Sequence, residues 1–274
     1  MAFCDLHIHS FYSDGTYSPF QIVEKAKEQN LSAISITDHD EIQAIQIAKS
    51  FVKDREPIII SGVELSAIYK QTEIHILGYL FDEFDKKITS KLGEMREYRR
   101  NRARNILLKL EDFGFHINYE NIDRLAGNGA VGRPHIARAM LETGHLSNYK
   151  EAFTKYIGNG KPCNSPKYRL SPAEAISLIK ESAGVPILAH PGNIGNDEIV
   201  NELLNFDFGG IEVWHPDHSS KLTNHYLSIT KKKNLVATGG SDNHGSITTK
   251  SPIGGIAVDS SVVDALINYK NTYL

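Results

Sequence analysis

The sequence predicts an α/β fold closed into a barrel, on three observations. Short β-branched apolar runs alternate with helical patterns through most of the chain, the runs number seven or eight, and six histidines and five carboxylates fall where the runs end. Alternating β/α units build parallel sheet with helices outside. Seven or eight such strands favour closure, with an open doubly wound sheet as the alternative. Ligand-type residues at several strand ends would then meet at one mouth. The expected strands cover residues 2–9, 32–37, 57–63, 73–80, 185–190, 209–214, 235–240 and 253–258.

The first strand ends in His7-Ile8-His9. Residues i and i+2 of a strand face one side, so two imidazoles can address one ion while Leu6 and Ile8 pack the other way. Asp14 follows in Ser13-Asp14-Gly15, which alone reads as a turn aspartate. Ser18-Pro19-Phe20-Gln21 starts a helix: a capping Ser, Pro at the first helical position and a Gln that returns the capping bond. The second strand releases Asp38, His39 and Asp40 together. Asp40 reads as the cap of a helix starting near Glu41. His39 reads as a metal ligand, and Asp38 as a carboxylate that orients an imidazole. Glu64 closes the third strand, where a carboxylate can bridge two cations. His75 alternates with apolar neighbours, so in isolation it reads as a core histidine.

Between residues 86 and 165 the alternation stops, and a helical insertion is expected. It opens with a long helix bearing Arg96, Arg99, Arg100, Arg102 and Arg104, continues through Gly132-Arg133-Pro134-His135 and ends in the Gly158–Pro162 turn signals. The flanking parts, 1–85 and 166–274, form the metal-binding unit. Ser171-Pro172-Ala173-Glu174 repeats the helix-start pattern, His190 precedes a Pro-Gly break, and Asp242 and His244 share either a strand face or a tight loop.

Lys and Arg total 30 against 33 Asp and Glu, a net charge of −3, which gives no global signature of a nucleic-acid coat or membrane-surface protein. No apolar run approaches a membrane span. Two cysteines make no disulfide framework, and Met-Ala-Phe-Cys-Asp is not a leader pattern, so a cytoplasmic location is expected, with no obligate protein partner. Phosphate-loop, nucleophile-elbow and cysteine-nucleophile motifs are absent from the sequence. Nitrogen and oxygen ligands without sulfur suit Mn, Fe, Zn or Co, leaving metal-activated water as the expected chemistry.

His7-x-His9, Thr37-Asp38-His39-Asp40, Gly62-Val63-Glu64, His75, His190-Pro191 and Asp242-x-His244 resemble the successive motifs of the PHP (polymerase and histidinol phosphatase) metallophosphoesterases. Within that family, Ser13-Asp14-Gly15 and Gly132-Arg133-Pro134-His135-Ile136-Ala137 are similar to bacterial 3′,5′-nucleoside bisphosphate phosphatases, some of which are 5′-to-3′ exoribonucleases. Lys161-Pro162-Cys163-Asn164 departs from that pattern. The resemblance implies a distorted (β/α)7 barrel with two or three divalent ions, Mn first, with Fe or Zn as alternatives. One ion would take His7, His9, Glu64 and Asp242, a second Glu64, His75 and His190, and a third Asp14, His39 and His244.

On this reading Glu64, His190, Asp242 and Asp38 are the catalytic candidates. A hydroxide held between two ions attacks phosphorus in line, with inversion at a chiral centre. The insertion covers the mouth. Arg133 and His135 reach the phosphate or the leaving oxygen, and Arg99 or Arg102 a second phosphate. The substrate is a nucleotide or short oligonucleotide, most simply the 3′-phosphate of a nucleoside bisphosphate. A histidinol-phosphate-type phosphatase and a catalytically silent metal-binding module are the alternatives. His215 and His218 are candidates for lining the pocket or for structural roles.

Overall fold

A computed structural model describes residues 2–52, 57–127, 129–144, 146–246 and 251–274. Eight strands form one sheet in the order β7-β6-β5-β4-β3-β2-β1-β8, curled into a nearly closed barrel. These are β1 (Phe3–Ile8), β2 (Leu31–Ile36), β3 (Ile58–Tyr69), β4 (Thr72–Tyr79), β5 (Val185–Leu188), β6 (Gly210–Trp214), β7 (Val236–Gly239) and β8 (Val258–Asp259). β1, β2 and β3 run parallel, as do β5, β6 and β7. β4 is antiparallel to both β3 and β5, and β8 to β1.

Helices α1 (Pro19–Glu28) and α2 (Gln43–Ser50) pack Ile22, Val23, Ala44 and Ala48 onto Ile34 and Ile36 of β2. α7 (Pro172–Glu181), α8 (Asp197–Leu203) and α9 (Ser220–Lys233) bring Ile176, Ile179, Val200 and Tyr226 into one cluster with Val63, Ile76, Ile211 and Val213, and α10 (Ser261–Tyr273) places Val262 and Leu266 in another with Cys4 and Leu6. Both predicted capping boxes form, at Ser18 with Gln21 and at Ser171 with Glu174.

The stretch between β4 and α7 holds α3 (Lys86–Glu111), α4 (Tyr119–Ala126), α5 (Arg133–Glu142), the single turn α6 (Tyr149–Glu151) and a π-helical segment Ala152–Ile157. Packing changes hands within α3. Ile88, Leu92 and Met95 join the barrel's apolar cluster, while Ala103, Ile106, Leu107 and Leu110 join one built from α4, α5 and Cys163. α3 is therefore shared between the barrel's apolar cluster and that of α4 and α5.

β3 runs to Tyr69, six residues past its expected end, β4 is antiparallel where the alternation predicts parallel strands, and two further elements depart from expectation. The strand expected over 253–258 shrinks to Val258–Asp259, because Gly254 takes a positive φ of 78° and donates its N–H to the buried Asp5 carboxylate at 2.9 Å. Asp40 does not cap α2. The helix starts two residues late, at Gln43, and Glu41 Oε1 accepts from the N–H groups of Ile42 and Gln43 at 2.8 and 3.0 Å, while Asp40 turns to Arg99 and Ser66.

Closure of the barrel brings the chain after β7 against β1. His9 N–H donates to Asn243 O at 2.9 Å, and Asp5 Oδ1 accepts from Ser241 N–H at 2.9 Å. Gly240 lies so close that an added Cβ would stand 2.4 Å from His7 N. Among the described residues no helix is long and apolar enough to cross a membrane.

Gly240→Ala is expected to force β1 and the β7 loop apart and to destabilise the fold by about 1–3 kcal/mol. Urea titration checks this, and an unchanged midpoint would show that the seam has slack.

Candidate metal centre

At the carboxyl end of β1 the inward face carries Asp5 and His7, with His9 just beyond the strand. The chain then folds back: Gly15 N–H donates to Ser10 O at 3.0 Å, and a Cβ at Gly15 would stand 2.3 Å from His9 O. Only glycine allows that approach, and it sets Asp14 over His9, their Oδ1 and Nδ1 3.7 Å apart. β2 ends just before Asp38 and His39. β3 and β4 run past the barrel rim as a hairpin in which Glu64 opposes Leu77 and Ser66 opposes His75. Directly opposed residues share a face, so Glu64 and His75 both look inward, and at this height inward means the mouth. The core reading of His75 fails for that reason.

His190 and Asp242 sit in strained backbone just after β5 and β7, with φ of 23° and 48°. Such conformations persist only where surroundings impose them. For His190 the restraint is Glu212 Oε2, which accepts its N–H at 2.8 Å. β7 ends at Gly239, so Asp242 and His244 share a loop rather than a strand face.

The predicted ligands gather around Glu64, which is 1% exposed. Its Oε2 lies 3.4 Å from His7 Nε2, 3.2 Å from His9 Nε2 and 3.1 Å from His39 Nδ1, and its Oε1 lies 2.8 Å from His75 Nδ1 and 3.0 Å from His190 Nε2. Asp242 Oδ1 is 3.2 and 3.1 Å from the His7 and His9 Nε2 atoms. Asp14 stands 3.3 Å from His244 Nε2 and 3.8 Å from His39 Nε2. Among the described residues four overlapping groups could each hold an ion: His7, His9 and Asp242; His7, Glu64 and His190; His39, Glu64 and His75; and His9, Asp14, His39 and His244.

These residues fit a cation. Ligands about 2.1 Å from a shared ion stand about 3–3.4 Å apart, the spacing between His7 Nε2 and His9 Nε2 at 3.1 Å and of both to Asp242. Glu64 Oε2 and His39 Nδ1 are buried without a hydrogen-bond partner, a cost that a positive ion would remove. Electrostatics agrees. Burial opposes ionisation of Glu64, yet His39, His75 and His7 hold its pKa well below the usual carboxylate range. Burial likewise disfavours a charged His9, but Asp242 and Glu64 push it up to about 10. His39 goes the other way, to about 3, because burial outweighs its carboxylate neighbours.

Supporting contacts fix ring tautomers. Glu212 Oε1 accepts from His7 Nδ1 at 2.8 Å, which leaves the Nε2 lone pair for the centre. Asp242 O accepts from His244 Nδ1 at 2.9 Å with the same result. His215 Nδ1 accepts from Asp217 N–H, so its Nε2–H points to Asp242 Oδ2 at 3.2 Å and orients that carboxylate. His218 spends both nitrogens on backbone, at Val213 O and Gly192 N–H. Asp38 touches no imidazole directly. It accepts from Ser10 N–H at 2.7 Å and Ser13 Oγ at 2.6 Å, and Ser13 Oγ in turn lies 3.4 Å from His9 Nδ1. Glu212 and Asp5 were not singled out from sequence. Glu212 alternates with apolar residues in Gly210–Trp214, and an acid at a buried strand position was the available signal.

The cover supplies cations beside the centre. A cavity of about 160 Å³ is lined by Asp14, His39 and His75 on one side and by Arg99, Arg102, Arg133 and Lys167 on the other. Arg99 pairs with Asp40, Arg102 Nε donates to Ser165 O at 2.9 Å, Arg133 Nη1 donates to Asn159 Oδ1 at 2.8 Å, and Lys167 pairs with Glu73. His135 is absent from this wall. It is 3% exposed, its Nδ1 accepts from Gly132 N–H at 3.0 Å, it bonds the Ser13 backbone, and burial lowers its pKa to about 4. It ties the start of α5 to the Asp14 loop instead of reaching into the mouth.

The PHP domain model matches residues 5–161, more than half the chain. The chain belongs to the PHP family. This PHP protein is 32% identical over 248 residues to the 5′-3′ exoribonuclease Rnm of Escherichia coli, covering 88% of this chain and 84% of that one. It is 29% identical over 250 residues to a 3′,5′-nucleoside bisphosphate phosphatase of Chromobacterium violaceum, covering 89% and 88%. A crystal structure described as a metal-dependent phosphoesterase from Bifidobacterium adolescentis superposes with a TM-score of 0.86 at 26% identity, over 97% of this chain and 96% of that one. The PHP protein is accordingly a metal-dependent phosphoesterase, a hydrolase built on a distorted barrel.

Glu212→Gln keeps the shape but can accept only one of the two N–H groups that Glu212 now holds. Metal affinity, measured by chelator competition, is expected to fall about 10- to 100-fold. Unchanged affinity would remove Glu212 from the support of the centre.

Proposed function

We propose that the protein hydrolyses the 3′-phosphate of nucleoside 3′,5′-bisphosphates and trims short 5′-phosphorylated oligoribonucleotides. One observation carries this reading: a cavity lined by cationic side chains adjoins the ligand cluster. Arg99, Arg102 and Arg133 share one small cavity, burial and the Arg133 and Arg99 charges bring Arg102 down to about 9, and burial and Arg99 also lower Arg133. Packed like charges of this kind are stabilised by a phosphate, which guanidinium groups bind in forked pairs. A substrate with one phosphate at the centre and a second within a nucleoside's length matches both places. The names of the relatives point to the same substrate class.

In this proposal His7, His9, Glu64 and Asp242 hold one ion, Glu64, His75 and His190 a second, and Asp14, His39 and His244 a third, Mn being the first choice and Fe or Zn alternatives. When bound, such ions lower the pKa of water and neutralise phosphoryl oxygens. Glu64 would be shared by the first two, its Oε2 facing His7 and His9 and its Oε1 facing His75 and His190. Asp242, steered by His215, presents one oxygen to His7 and His9. Asp38 acts as a positioning residue through Ser13. Residues 86–165 act as the cover: Arg99, Arg102 and Arg133, each already holding one neighbour in Asp40, Ser165 and Asn159, face the second phosphate together with Lys167, which follows the cover and pairs with Glu73. His135 is left out of the substrate contacts.

The experiment is a phosphoester panel with metal-stripped and Mn-reconstituted protein. Adenosine 3′,5′-bisphosphate is expected to be hydrolysed and histidinol phosphate to be poor. The reverse order would end the nucleotide reading. Glu64→Ala is expected to abolish turnover and lower metal content together, and full activity would refute the bridge. Arg133→Ala removes a charge-assisted bond of about 1.5–3 kcal/mol, so KM for the bisphosphate should rise about 10- to 100-fold with a smaller change in kcat.

A further inference from the structure

Three residues line both of the cavities that open onto the ligand cluster: His39, Glu73 and His75. His39 and His75 are in the ligand groups, and Glu73 is in none of the four found among the described residues. Glu73 lies two residues before His75 on β4, so both side chains stand on the face that looks to the mouth. Its Oε1 pairs with Lys167 Nζ and stands 3.4 Å from His75 Nε2. The other ring nitrogen, Nδ1, lies 2.8 Å from Glu64 Oε1 and 3.4 Å from His190 Nε2. A neutral imidazole has one lone pair and one N–H. With Nδ1 among the ligand atoms, the hydrogen belongs on Nε2, and Glu73 is the acceptor beside it. His75 thus faces the centre in the opposite sense to His7 and His244, which offer Nε2.

Lys167 is held in place by the elements around it. Two residues earlier, Ser165 O accepts from Arg102 Nε at 2.9 Å, the carbonyl of Lys167 itself accepts from the Tyr98 hydroxyl at 3.4 Å, and Leu170 O accepts from Ile68 N–H at 2.8 Å. α3 and β3 therefore fix an ammonium between Glu73 and the arginine-lined cavity. One carboxylate oxygen serves two donors, Lys167 and His75. Resting on the bisphosphate reading above, we propose that Glu73 is a positioning residue for His75, and that the contest for its oxygen couples phosphate binding to metal binding. With the cavity empty, Lys167 draws the Glu73 charge. A phosphate on Lys167 takes up that cation, and Glu73 turns its charge to the Nε2–H of His75. A carboxylate on the outer nitrogen raises the basicity of the ligating one. Phosphate and ion then strengthen each other by the same factor in both directions.

Chelator competition gives the Mn affinity with and without AMP, whose 5′-phosphate probes the cationic cavity. AMP is expected to tighten Mn about 5- to 10-fold in the unmodified protein. Lys167→Met is expected to tighten Mn by a similar factor without AMP, where loss of a merely structural lysine would loosen it. Glu73→Gln is expected to loosen Mn about 10- to 100-fold and to abolish both the AMP effect and the effect of adding Lys167→Met. Equal tightening by Lys167→Met with and without Glu73 would show that Lys167 acts through its charge alone, and a full AMP effect in Glu73→Gln would show that the phosphate ligates the ions directly. Either result overturns the inference. In unmodified Zn-loaded protein the ¹⁵N shifts of the His75 ring are expected to place the hydrogen on Nε2, and hydrogen on Nδ1 overturns the inference whether or not the Glu73 variant folds. AMP that binds without changing Mn affinity sinks the inference alone, and AMP that does not bind sinks the reading beneath it as well.

Discussion

Everything at the mouth depends on one buried carboxylate. Glu64 is almost wholly removed from water and has five imidazole nitrogens within 3.4 Å, yet its Oε2 makes no hydrogen bond. An uncompensated buried carboxylate is costly, and protonated imidazoles crowded around it would repel one another. Divalent cations between the carboxylate and neutral imidazoles resolve both problems at once. The same set that is awkward as a protein interior is well formed as a ligand cage, which is why the donor arrangement argues for metal more strongly than any single motif.

The barrel serves this cage by holding segments far apart in sequence within hydrogen-bond distance. Asp5 accepts from His7, Ser241 and Gly254, and Glu212 accepts from His7 Nδ1 and His190 N–H. Two buried acids thus join β1 to β6 and to the chain beyond β5 and β7. Their positions are backbone-directed, so ligand placement is set by strand ends and not by flexible side-chain reach.

Much of the site was legible because metal ligation constrains residue type and strands constrain spacing. His7 and His9 could be paired from period two alone, and the β/α alternation placed six of the eight strands within about two residues. What escaped was long-range. Nothing local tells that the β3–β4 hairpin overshoots the rim, which converts His75 from a plausible core residue into a mouth residue. Nothing local shows that Asp40 forgoes a helix cap for Arg99 on α3, or that His135 is consumed by its own helix start and the Ser13 backbone. Glu212 and Asp5 were invisible for a related reason. A single acid in an apolar strand acquires meaning only when its partners, 205 and 236 residues away, are known.

The position of the cover follows from charge. The ligand cage alone would attract any phosphoester once loaded with cations, so selectivity must come from outside it. α3 solves this by being anchored at both ends of its packing: its first half lies in the barrel's core and its second half in the cover's core. Arg99 and Arg102 lie between those halves. Arg99 is fixed on the barrel side by Asp40 and Arg102 on the cover side by Ser165. A cationic wall held this way cannot retreat from the centre without breaking either an ion pair or a buried hydrogen bond. The distance from the ligand cage to Arg99 and Arg102 is therefore set by rigid packing.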